Sequence, residues 1–119
     1  MAYRVEIARR AEADLEELYL WVVERAPQQG ARWFNGLERA VLSLDEHPTR
    51  CPVAPESIDP NQPVRVLGYG RKPHVYRVFF TVNDTARLVR VVHAPPLRQT
   101  RMNGRESGSA VTIRRADKP

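Results

Sequence analysis

Apolar and polar residues alternate at the start of the chain, with Tyr3, Val5 and Ile7 set against Arg4 and Glu6. A period of two predicts a short strand with one apolar face. From about Arg9 the period lengthens: Ala11, Leu15, Leu18 and Val22 recur at helical spacing, which predicts a helix of roughly four turns. Arg10 and Asp14 lie four residues apart and are placed on its outer side as an ion pair. The helix is expected to stop near Ala26-Pro27, because proline disfavours helical geometry in the residue before it and suits the first turn of the next helix.

A second helix is predicted from about Gln28 to Glu46, where Phe34, Leu37, Val41 and Leu44 step along one side. So short a joint implies an antiparallel helical hairpin, with Trp21 and Trp33 flanking the joint as core aromatics. His47, at the end of this helix, is assigned to its free carbonyls. Pro48, Pro52, Pro55, Pro60 and Pro63 then fall within sixteen residues, a spacing that predicts an extended crossing, since no helix or central strand tolerates it.

Three strands come next in the pattern: Val64–Leu67, His74–Val82 and Arg87–His93, the last two joined by a turn at Asn83-Asp84-Thr85-Ala86. Parity in the long strand sends Tyr76, Val78, Phe80 and Val82 to the core and Val75, Arg77, Phe79 and Thr81 to the opposite side. One helical hairpin covers one side of a sheet, so Arg77 is expected on an uncovered face. The fold class is α+β: an N-terminal strand, then an antiparallel helical hairpin packed on one face of a small antiparallel sheet.

At 119 residues with 42% apolar content, the chain can bury one core. A single domain is expected over residues 1–98, followed by a polar, loosely ordered tail over 99–119. The single Cys51 has no partner for an internal disulfide, and no Cys or His set has metal-ligand spacing, so neither metal nor organic cofactor is expected. Met1–Ile7 lacks an apolar leader core, and no stretch is long enough to span a bilayer; a cytoplasmic location is expected. Net charge is +5, and its distribution is uneven: residues 1–63 hold seven Lys/Arg against eleven Asp/Glu, whereas residues 64–119 hold twelve against three. A field of one sign over the second half implies an acidic partner.

Three segments carry a family resemblance: Tyr3–Ile7 leading through Arg10-Ala11 to Asp14-Leu15; the second helix ending in His47-Pro48 and Arg50; and Val75-Tyr76-Arg77-Val78 with Arg90-Val91-Val92-His93. Together they resemble the ParE/RelE superfamily, the toxins of bacterial type II toxin–antitoxin pairs. The resemblance implies the fold that periodicity predicts, a role in arresting growth when free of antitoxin, and a cognate antitoxin whose C-terminal segment wraps the toxin. An acidic, amphipathic segment would suit the basic half of this chain.

Two departures stand out. Ala8 occupies the position where family members often carry a capping Ser, and Ala94-Pro95-Pro96-Leu97-Arg98 replaces the Gly and arginine pair that often follow the histidine.

The resemblance leaves two chemistries open. A RelE-like toxin cleaves ribosome-bound mRNA by attack of a ribose 2′-hydroxyl on the adjacent phosphate, which needs a base, an acid and cations for the phosphorane. Arg77 would supply charge and His93 would transfer a proton, with Arg65, Arg90 and Arg98 as target- or nucleic-acid-binding residues. A ParE-like toxin poisons DNA gyrase and uses the same surface for binding alone. The lack of a tyrosine beyond Tyr76 favours the ParE-like route. A non-toxic RNA-binding module on the same fold is the third reading, because phosphate contacts give affinity without sequence information.

Overall fold

A computed structural model of the chain describes residues 2–97 and two short strands, Ile113–Arg114 and Ala116–Asp117, that pair with each other. The order of elements in 2–97 is β1 (Arg4–Ile7), α1 (Arg9–Arg25), α2 (Pro27–Leu42), β2 (Arg65–Tyr69), β3 (Tyr76–Asn83) and β4 (Leu88–His93). The expected loosely ordered tail falls almost wholly outside the described residues.

Helix α1 is preceded by Ala8, which gives it no side-chain cap, as its sequence requires, and is followed by Ala26. Pro27 opens α2 in its first turn. The hairpin closes tightly at Gly30, where an added Cβ would run into the backbone carbonyl of Val22. Glycine is needed here for space rather than for backbone freedom.

Helix α2 is shorter than periodicity predicts. It ends at Leu42, and a 3₁₀ turn over Ser43–Asp45 carries Leu44 into the core. The hydroxyl of Ser43 donates to the Ala40 carbonyl at 2.6 Å, and Arg50 donates to the carbonyls of Glu46 and His47 at 2.6 and 3.2 Å. Arg50 therefore satisfies the chain end that periodicity assigns to His47. His47 itself takes a left-handed backbone conformation before Pro48.

The four main strands form one sheet in the order β1-β4-β3-β2. β2, β3 and β4 are antiparallel neighbours, but β1 runs parallel to β4, pairing Val5 with Val89 and Ile7 with Val91. The sheet is thus mixed rather than wholly antiparallel. Alternation of apolar and polar residues sets which face a strand buries and carries no information about its direction. The proline-rich segment runs along the outer edge of β2, bonding Ala54 N–H to the Val64 carbonyl and Val66 N–H to the Pro52 carbonyl at 2.8 and 3.0 Å.

The core lies between the hairpin and one sheet face. Ala11, Leu18, Leu37, Leu44, Val78, Phe80, Val89 and Val91 are 2% exposed or less. Trp21 and Trp33 do not stack on each other. Trp33 meets Tyr69 and Tyr76 edge-to-face at 5.3 and 5.7 Å, and the Arg25 guanidinium lies 3.7 Å over Trp21. Among the described residues, no helix is long and apolar enough to cross a membrane.

Replacing Gly30 with Ala should cost about 1–3 kcal/mol, because the blocking atoms are backbone and cannot swing away. Urea denaturation tests this, and a Gly30→Ala midpoint equal to that of the parent would contradict it.

Candidate functional site

The site is built on the sheet face turned away from the helices. Cross-strand partners share a face, and Arg77 pairs with Gly68 while Phe79 pairs with Val66. Strand parity places Arg77 and Phe79 on this side, and both are half-buried there. The Arg77 guanidinium lies 5.0 Å from the centre of the Phe79 ring.

His93 reaches the same ring through an irregularity of β4. Phe80 pairs with Val91, so regular pairing would set Val92 against Phe79 and turn His93 to the core side. A bulge intervenes, and His93 pairs with Phe79 instead. One extra residue in a strand moves the side chains beyond it to the other face. The imidazole stacks on Phe79 at 6.0 Å with 19° between the planes. Phe79 thus stands between Arg77 and His93, the two residues singled out as catalytic from the sequence.

Arg77 and His93 each meet a carboxylate. Arg77 is gripped through both arms by Glu56, at 2.9 and 2.8 Å. That bidentate bond is the main reason the Glu56 carboxyl lies below its ordinary range. His93 Nδ1 lies 2.8 Å from Oδ2 of Asp14, and the same oxygen accepts the Ala94 N–H at 3.1 Å. Asp14 does not sit on the outside of α1 beside Arg10. Its side chain is 19% exposed and turned toward the end of β4.

The other expected residues are dispersed. Arg65 pairs with Phe80, so it projects to the core side, opposite Arg77. There it donates to the Cys51 carbonyl at 2.6 Å and to the Thr49 carbonyl at 3.4 Å, fastening the proline-rich segment. Arg90 lies opposite Glu6 across the parallel pair and bonds it at 3.1 Å. Arg98 lies outside the described residues.

A family model described as the ParE toxin of the type II toxin-antitoxin system, parDE, matches residues 5–95. The chain belongs to this toxin family. It is also 30% identical over 93 residues to Toxin RelE1 of Caulobacter vibrioides, a match covering 78% of this chain and 95% of that protein. A solved structure titled as the chromosomal ParDE TA system from P. aeruginosa shares the fold with a TM-score of 0.63 at 19% identity, covering 82% of this chain and 98% of that one.

Sequence reasoning missed two residues bonded to the candidate site. Asp14 stands between Ala11 and Leu18 on the stripe that α1 buries, and that spacing was the available signal. Glu56 had no signal, since it lies in irregular chain 21 residues from its partner. Tyr76 was assigned to the core, where it is 4% exposed. Its hydroxyl donates to the Pro95 carbonyl at 2.6 Å. Burial first, and the Asp14 carboxylate second, push its phenol far above the ordinary value of 10.0. The hydroxyl proton is thus committed to the Pro95 carbonyl within the core.

Cys51 is also buried, and burial raises its thiol despite Arg50 and Arg65 nearby. This fits an inert core residue. Among the described residues there is no group of three or more His, Cys, Asp or Glu that could hold a metal ion.

A concave feature lies between the helices. A groove of about 450 Å³ has Leu15, Tyr19 and Phe34 in its wall and Glu12, Glu16 and Glu38 along it.

The raised Tyr76 phenol has a consequence for stability. The native state favours the neutral form, so this contribution is complete below the unfolded value near 10 and is lost as pH rises above it. Tyr76→Phe should cost about 1 kcal/mol near neutral pH, through the lost bond to Pro95, and should flatten the alkaline fall in stability. Urea denaturation at about pH 8 and about pH 11 tests this; equal alkaline losses in both proteins would contradict it.

Proposed function

We propose that this toxin arrests growth by binding a protein target in the ParE-like manner, poisoning DNA gyrase, and that it is held inactive by a cognate antitoxin. The observation that carries this reading is the two-armed grip of Glu56 on Arg77. The cation expected to stabilise a phosphorane is already matched by a carboxylate, and the phenol of Tyr76, on the core side of the same strand, donates to the Pro95 carbonyl. RNA cleavage by 2′-hydroxyl attack requires a proton for the departing 5′-oxygen. His93 alone would have to serve both proton transfers. A binding face needs no such pair.

The RelE-like reading has one observation in its favour. Asp14 holds His93 through Nδ1, which leaves Nε2 as the nitrogen able to take a proton from a ribose hydroxyl. The name of the Caulobacter relative points the same way.

Expression without an antitoxin should stop growth. Purified toxin should inhibit supercoiling by gyrase and leave ribosome-bound mRNA intact, and Arg77→Ala should weaken the arrest. Cleaved mRNA with unimpaired supercoiling would transfer the toxin to the RelE-like branch. Undiminished growth with soluble protein present would overturn both readings.

A further inference from the structure

The arginines of β2, β3 and β4 meet carbonyls or carboxylates of the chain itself, whereas the acids between the helices are unmatched. Among the described residues, Glu12, Glu16 and Glu38 form no ion pair, and all three are exposed. Glu12 and Glu16 stand one turn apart on α1, and Glu38 joins them from α2 along the groove of about 450 Å³.

The wall between these carboxylates is apolar. Ile7 and Tyr19 are 37% and 39% exposed there, and the Tyr19 ring meets Phe34 edge-to-face at 5.2 Å. A concavity of this volume is of the size that small molecules occupy. The three carboxylates do not converge on one point, since no group of three or more His, Cys, Asp or Glu among the described residues could hold a metal ion. A ligand that matches them carries several positive charges set apart, with apolar chain between.

We propose that this groove is a binding site for a linear aliphatic polyamine. Residues one helical turn apart on a helix face have Cβ atoms about 5–6 Å from each other, and a four-carbon spacer, the length of a lysine stem, carries an ammonium group over a similar reach. The methylenes lie along Ile7 and Leu15, as lysine stems lie along apolar surface, and an ammonium group beside the Tyr19 ring is attracted by its face. This inference goes beyond the gyrase reading and does not depend on it, because it concerns the helical side of the isolated toxin.

The test is isothermal titration of spermidine into the full chain at fixed ionic strength. One saturable site is expected, with a Kd of about 0.1–1 mM, the weak affinity appropriate to exposed charge pairs. Glu12→Gln, Glu16→Gln and Glu38→Gln should each weaken binding about two- to fivefold. Tyr19→Ala should weaken it as well although no charge is lost, and Tyr19→Phe should retain the affinity of the parent. Glu17→Gln is the charge control: Glu17 is exposed on the same helix and does not line the groove, so its removal should leave binding near that of the parent.

The proposal is overturned by the absence of a saturable site, by equal weakening in Glu17→Gln, or by affinity that survives loss of all three groove glutamates. Magnesium that displaces spermidine at equal concentration would make the groove a metal-ion site. A lysine-rich peptide that binds more tightly than spermidine, with the same dependence on the three glutamates, would make it a protein-docking surface, and the polyamine assignment falls.

Discussion

The arrangement of the site depends on one carboxylate. Oδ2 of Asp14 accepts from the Ala94 backbone and engages the His93 ring, joining the first helix to the end of β4. The last β1 partner of β4 is Val91, so beyond it the chain has lost its neighbour on that side. A backbone N–H there needs an acceptor, and a buried one left unmet would cost about 1–3 kcal/mol. Asp14 supplies it and anchors His93 as well. The bulge before His93 and the stack on Phe79 complete the same junction.

This junction changes the meaning of the basic charge. Counting residues along the chain suggests a bare cationic surface, whereas each arginine within β2, β3 and β4 has a protein partner. Arg65 meets backbone carbonyls, Arg77 meets Glu56 and Arg90 meets Glu6. The acidic first half and basic second half of the sequence therefore meet in space. β1 and the proline-rich segment bring Glu6 and Glu56 onto the strands that hold Arg90 and Arg77. What remains is a sheet face whose charges are internally matched, while the helical side presents a groove lined by three glutamates.

Much of the architecture was legible because it rests on period and punctuation. The alternation of Tyr76, Val78 and Phe80 told which face β3 buries, and Ala26-Pro27 marked the helical joint. Strand direction was not legible: nothing in Tyr3–Ile7 states that β1 runs parallel to β4. Local side-chain competition was also hidden, so periodicity carries α2 to Glu46 although Ser43 and Arg50 end it earlier. At the site, parity correctly put Arg77 and Phe79 together but could not foresee a bulge, and without it His93 would face the core. The partners Asp14 and Glu56 are 79 and 21 residues away from His93 and Arg77, and long-range pairing leaves no periodic trace.

The central claim is that His93 is held by Asp14 as part of the fold. A double-mutant cycle in urea denaturation tests it most directly, comparing Asp14→Ala, His93→Ala and the double variant with the parent. The bond from Ala94 to Asp14 is lost in both Asp14 variants and cancels, so the cycle isolates the side-chain pair. A coupling of about 1–2 kcal/mol is predicted for this half-buried contact. Single losses that simply add, within about 0.3 kcal/mol, would show that His93 is not held by Asp14 and would contradict the account.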